Sequence, residues 1–155
     1  MKPINLSKVH IIIMILIIFG CTKNKEDDKR YLIFGHSYGK CTGKICLEIF
    51  KLTPDQLYED VDDNFFNGNL RFTLLPQTKF DLAAYLLNAY PKELTDELNK
   101  SYGCPDCHDQ GTIILQYYDG NRLKSFLVDQ DKTAIPNYLH GYVDSINETI
   151  RLLNL

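Results

Sequence analysis

Two close pairs of cysteines, Cys41-x4-Cys46 and Cys104-x2-Cys107, come from opposite halves of the chain and constrain it more than any other feature. Disulfides persist in exported proteins, where the surroundings are oxidising, and four cysteines can pair in more than one way. A structural zinc site is the second expectation. Two loop-borne thiolate pairs can supply tetrahedral ligands, with His36 or His108 in reserve, although the x4 spacing of Cys41 and Cys46 suits a metal knuckle less well than x2. Free or redox-active thiols are the third.

The rest of the composition describes an ordinary domain. The chain has 155 residues, 45% hydrophobic and 24% charged, and shows no internal repeat or low-complexity segment, which excludes a disordered tail or a repeat array. Lys2 and Lys8 lie in the first 20 residues, which carry no acids. Of the 17 basic residues 15 therefore remain beyond that segment against 20 acidic ones, a balance of −5. A mildly acidic surface without a basic cluster has no means of releasing phosphate counterions, so nucleic acid is not an expected partner.

The N-terminus carries an address. A short basic stretch from Met1 to Lys8 precedes an apolar run of nine, Ile11 to Phe19, and then Gly20-Cys21. This is the three-part pattern of a secretory signal, and the run is about half of the 20 or so apolar residues that span a bilayer. Ile18-Phe19-Gly20-Cys21 resembles the bacterial lipobox. The resemblance implies diacylglyceryl transfer to Cys21, cleavage after Gly20 and acylation of the new amine, and two or three acyl chains anchor stably. The expected organisation is a lipoprotein signal peptide over 1–20, a lipid-anchored polar tether over 21–30 and one domain over 31–155. Lys25-Glu26-Asp27-Asp28 also resembles the export signal of surface lipoproteins in Bacteroidota. The expected location is the bacterial envelope, as an outer-membrane lipoprotein on the periplasmic face or the cell surface.

Within the domain, Tyr31–Phe34, Ile45–Leu52, Gln56–Val61 and Leu70–Leu75 read as strands, with Thr53-Pro54-Asp55 as a turn and a helix starting at Thr53 as the rival reading, since Pro suits a first helical turn. Thr78 and Asp81 resemble a capping box, opening a helix through Phe80, Ala83, Ala84 and Leu87 that is apolar on most sides and so expected to be buried. Pro91 opens a second short helix that ends before Gly103. Thr112–Tyr118 and Leu123–Val128 flank Asp119-Gly120-Asn121, a hairpin signal. Pro136 is placed at a first helical position, and Ile135, Leu139, Val143, Ile146, Ile150 and Leu153 form one apolar stripe. The expected fold is α+β, an antiparallel sheet with helices packed on one face and an amphipathic C-terminal helix.

Three literal motifs lack the context their chemistry needs. Cys104-Pro105-Asp106-Cys107-His108 has the spelling of a c-type haem attachment site, but Met1 and Met14 lie in the removed signal, which leaves only a distal His36 or His140 as axial ligand, and a strand follows the string. As a thioredoxin-type dithiol, Cys104 and Cys107 would need a helix N-terminus to lower the thiol pKa. Gly35-His36-Ser37-Tyr38-Gly39 matches G-x-S-x-G, but a nucleophile elbow needs a helix after the serine, and the glycines are expected to serve a tight turn. Asp119 and His140 are then incidental. The acidic stretch Glu59–Asn69 lacks the ligand order of a calcium loop and reads as solvated. His140 and Asp144 read as an exposed pair one helical turn apart. Asp144-Ser145-Ile146 resembles a short O-glycosylation motif.

YLIFGHSYGKCTGKICLEIFKLT and GCPDCHDQGTIILQYYDG resemble a group of uncharacterised Bacteroidota lipoproteins that share an FGH-x-YG-x-C-x-G-x2-C opening and a later CPDC before a hairpin. The resemblance implies kinship in fold and brings no activity with it. The functional expectation is a non-enzymatic binding or structural module, held to the membrane through acylated Cys21 and meeting an unidentified envelope protein or ligand, with no cofactor beyond the zinc alternative. The other expectation is a thiol-based redox or zinc-dependent activity centred on Cys41, Cys46, Cys104 and Cys107.

Overall fold

The computed structural model describes residues 29–155 apart from 43–45 and 63. The expected signal peptide, Cys21 and most of the tether lie outside the described residues. Seven strands form one sheet: β1 (Tyr31–Ser37), β2 (Leu47–Leu52), β3 (Leu57–Asp60), β4 (Phe72–Leu74), β5 (Lys100–Tyr102), β6 (Thr112–Tyr118) and β7 (Leu123–Asp129). Their spatial order is β4-β3-β2-β1-β6-β7-β5. Three helices accompany them: α1 (Gln77–Ala83), α2 (Tyr85–Asn88) and α3 (Asn137–Leu153).

Strand alternation sends successive side chains to opposite faces. Leu32 and Phe34 of β1, Phe50 and Leu52 of β2, Ile113 and Leu115 of β6, and Phe126 and Val128 of β7 face the helices and build the main core. The apolar stripe of α3 closes it, with Leu139, Val143, Ile146, Ile150 and Leu153 all buried. Ala83, Leu86 and Leu87 join from α1 and α2. The opposite face holds a smaller cluster of Ile33, Ile49 and Ile114, edged by Leu47, Phe65, Leu70 and Phe72. The α+β expectation therefore holds, with the helices on the face that carries the larger core. Among the described residues no helix is long and apolar enough to cross a membrane.

Four local expectations change. First, the sheet is mixed: β5 pairs in parallel with β7 where the chain after Pro91 was expected to stay helical. Only a 3-10 turn over Lys92–Thr95 forms there, and Lys100-Ser101-Tyr102 is too short and polar to show a period of its own. Second, Pro76 starts α1 at Gln77, so Thr78 lies inside the first turn and caps nothing, while Asp81 accepts from Gln77 Nε2 at 2.9 Å. The helix breaks at Ala84, and Leu82 and Tyr85 are exposed.

Third, Pro136 precedes the first helical residue of α3 instead of occupying it. Fourth, the acidic stretch is not simply solvated. Asp60 is buried and accepts from the backbone N–H of Arg71 at 2.7 Å, organising the loop that leads to β4. Beside it the Arg71 guanidinium clamps Asp62 at 2.6 and 2.9 Å and lowers its carboxyl pKa.

Candidate functional site

The registers of β1, β2, β6 and β7 bring one set of strand ends together. Ser37 pairs with both Leu47 and Thr112, and Thr112 pairs with Asp129. The β1–β2 loop and the β5–β6 loop, which carry the two cysteine pairs, therefore emerge at the same end of the sheet. Each pair closes on itself as a disulfide, Cys41–Cys46 with Cα atoms 5.4 Å apart and Cys104–Cys107 with Cα atoms 5.5 Å apart. Sulfurs bonded in this way offer no thiolate to a metal. Among the described residues no group of three or more histidine, cysteine or acidic side chains is placed to hold one. No helix starts at Cys104: β5 ends two residues before it and β6 follows the loop.

Asp129 is the organising group of this end. Its side chain is buried, yet it accepts from the backbone N–H of Cys104 at 2.9 Å, from Gln110 Nε2 at 2.8 Å and from the backbone N–H of Asp131 at 2.8 Å. Burial alone would raise the carboxyl pKa, but the hydrogen bonds from Gln110, Asp131 and Cys104 outweigh it and hold the group below the usual carboxylate range. Gln110 also donates to the Cys104 carbonyl at 3.0 Å, and its own carbonyl accepts from the His108 N–H at 2.7 Å. The CPDC loop is thus folded around one carboxylate.

Asp106, in the left-handed region at φ 61°, joins the two disulfide loops. One of its oxygens accepts from the Gly39 N–H at 2.8 Å and the other from the Gly111 N–H at 3.1 Å. Lys40 reaches Asp109 at 2.8 Å, an exposed pair that adds little. Tyr38 lies between the loops. Its N–H donates to the Cys46 carbonyl at 2.8 Å, and its ring occupies the place a side chain on Gly111 would need. Gly111 has φ 85°, so glycine is required there on both counts.

The glycine expected to make a turn at position 35 does something else. Gly35 is a buried residue within β1, and a Cβ there would collide with the Glu48 carbonyl oxygen of β2. It permits a close approach of two strands. Because Gly35, His36 and Ser37 all belong to β1, Ser37 projects to the face opposite His36, and no elbow forms.

His36 follows Leu32 and Phe34 on the helix-facing side of β1, and its register partner across the pair is Glu48. Nε2 lies 2.8 Å from Glu48 Oε2, with both side chains 12–13% exposed. The imidazole edge is therefore buried against a carboxylate. The Tyr38 ring stands 5.0 Å from the imidazole, centroid to centroid.

These three side chains form one wall of a cleft of about 370 Å³. The other wall is Gln130, just past β7, and Asn147, Ile150, Arg151 and Asn154 of α3 and its C-terminal cap. Asn147 Nδ2 donates to Gln130 Oε1 at 3.2 Å, which leaves Gln130 Nε2 buried without a partner. Arg151 is held by Glu148 through two bonds of 2.7 Å.

Of the residues singled out in the sequence, the structure brings Cys41, Cys46, Cys104, Cys107 and His36 to this end, with His108 on the rim. It separates His140 from Asp144. The His140 ring lies 3.2 Å from the Ile135 carbonyl, while Asp144 pairs with Lys132 at 2.6 Å. Glu48, Gln130, Asn147 and Arg151 escaped sequence reasoning. One signal existed: His36 and Glu48 are polar residues at alternating positions whose neighbours, Phe34 and Phe50, belong to the core. Compared with known proteins, the chain matches no protein-family model, and no curated protein is significantly similar to it.

Proposed function

We propose that this protein is a lipid-anchored envelope lipoprotein whose folded domain is a non-enzymatic binding module, with the His36–Arg151 cleft as its recognition site. One observation carries the reading: Gln130, which lines the cleft, has a buried side-chain nitrogen, Nε2, with no hydrogen-bond partner. Buried polar groups left unsatisfied are costly, about 1–3 kcal/mol each, and a ligand that supplies acceptors removes that cost. The disulfides then serve as braces that hold Tyr38 and its neighbours in place, a reading favoured over redox chemistry because no helix N-terminus activates Cys104.

Two measurements test this. Alkylation of the protein before and after reduction, read by intact mass, is expected to label Cys41, Cys46, Cys104 and Cys107 only after reduction. Labelling of all four without reductant would return the zinc or free-thiol alternative. Replacement of Cys21 by Ala is expected to move the protein from the membrane fraction to the soluble fraction of the producing cell, and retention on the membrane would end the lipid-anchor reading.

A further inference from the structure

We infer that the cleft takes a neutral polyhydroxylated ring, a sugar, in preference to a charged small molecule. The inference rests on reading the cleft as a binding site and names the ligand's chemistry.

The charges argue first. Glu48 lies inside the cleft, and Glu148 clamps Arg151 at its rim with two bonds of 2.7 Å. The guanidinium is thereby offset and an anionic ligand gains little. A cation would meet Glu48 with His36 Nε2 already 2.8 Å from its carboxylate. The arrangement favours neither sign.

The hydrogen-bonding inventory argues second. Gln130 Nε2 is a donor without a partner, and the same cleft holds the Glu48 carboxylate, which meets His36 Nε2 at 2.8 Å. A hydroxyl group both donates and accepts, and two hydroxyls on neighbouring carbons can accept from Gln130 while donating to Glu48. Asn147 and Asn154 add planar amides that read such pairs in the same way. The walls argue third. The Tyr38 ring supplies apolar surface for the C–H face of a ring, a use to which tyrosine is suited because its body is apolar and its tip polar. A volume of about 370 Å³ lies at the low end for small-ligand sites, enough for one ring and too small for a large cofactor.

The test is a titration of isotopically labelled protein, reading the His36 ring and the Gln130 side-chain amide by NMR. The probes are glucose, mannose, N-acetylglucosamine, the methyl glycosides of these sugars, glycylglycine and acetate. Saturable shifts with a neutral sugar, absent with acetate and glycylglycine, are the expected result. Glu48→Gln keeps an acceptor and removes the charge, so sugar affinity should stay within about threefold. Asn154→Ala, at an exposed position that leaves the core untouched, should weaken it by about threefold to tenfold.

Saturation by acetate or glycylglycine and by no sugar would overturn the polyol assignment while leaving the binding site in place. Silence from every probe would overturn both readings. The methyl glycosides separate two sources of the same chemistry. Binding as tight as that of the free sugar assigns the site to the end of a glycan chain, and binding of the free sugar alone assigns it to monosaccharide. Either result supports the polyol.

Discussion

The two ends of the sheet are each organised by one aspartate, but they are built in different ways. At the hairpin end, Asp119 accepts from the backbone N–H groups of Asn121 and Arg122 at 2.9 and 2.8 Å and meets Lys124 at 3.1 Å. Every one of those partners lies within five residues. Lys124, itself buried, also donates to the Thr95 carbonyl. At the disulfide end, Asp129 reaches back 25 positions to Cys104, and Gly39 meets Asp106 across 67. The hairpin end is a turn that local chemistry can make alone. The disulfide end exists only when two distant loops have found each other, and the cleft lined by His36 and Gln130 opens beside them. An end that depends on long-range contacts needs braces, and both disulfides are there.

Mutations should separate the two ends, and the largest effect is expected at Asp129. Asp129→Ala strands the Cys104 and Asp131 N–H groups in a buried site and should cost about 3 kcal/mol in a urea denaturation series. A loss under 1 kcal/mol would mean that the disulfide end is not held by this carboxylate. Next, removing either disulfide as a double Cys→Ser variant should cost about 2 kcal/mol, the value chain entropy assigns to such short loops. Hydrogen exchange would sharpen the comparison: Cys104→Ser/Cys107→Ser should speed exchange at Gly39 and Gly111 and leave Asn121 and Arg122 unchanged.

A smaller effect is expected at the other end, where Asp119→Ala removes a local cap worth about 1 kcal/mol. Backbone bonds from Arg122 and Asn121, with help from Lys124, lower the Asp119 carboxyl to about 2. A carboxyl depressed in the fold contributes its full stability above the unfolded value, about 4, and loses it as the pH falls toward 2. Denaturation midpoints should therefore drop across that window, and Asp119→Asn should flatten part of the drop. Asp129, lowered in the same direction, supplies another part. Smallest of all, Lys40→Ala breaks the exposed pair with Asp109 and should change stability by no more than about 0.5 kcal/mol. A larger change would show that this contact holds the loops together.

Much of the fold was legible because its signals are local. The period of Leu139, Val143, Ile146, Ile150 and Leu153 places α3, and Asp119-Gly120 between two apolar runs places the β6–β7 hairpin. Where a local signal had a local competitor, the reading failed. Pro76 overrode the capping box that Thr78 and Asp81 suggested, because a fixed φ sets the helix start two residues earlier than expected. β5 was missed because three residues with one buried side chain carry no period, and only the edge of β7 makes them a strand.

The candidate site divides in the same way. The sequence by itself determined that Cys41 lies near Cys46 and Cys104 near Cys107, that a strand starts at Tyr31 a few residues before His36 and Tyr38, and that the last helix presents one apolar stripe. Each of these is a statement about residues a few positions apart, where spacing and period fix geometry. Only the tertiary structure decided that β1 and β2 pair with His36 opposite Glu48, that Asp129 folds the CPDC loop, and that Gln130 and Asn147 complete a cleft with Arg151 beside it. The physical reason is register. A shift of one residue in a strand pair sends every side chain to the other face, and that choice is made by the whole hydrophobic core, not by the few polar residues that end up sharing the cleft.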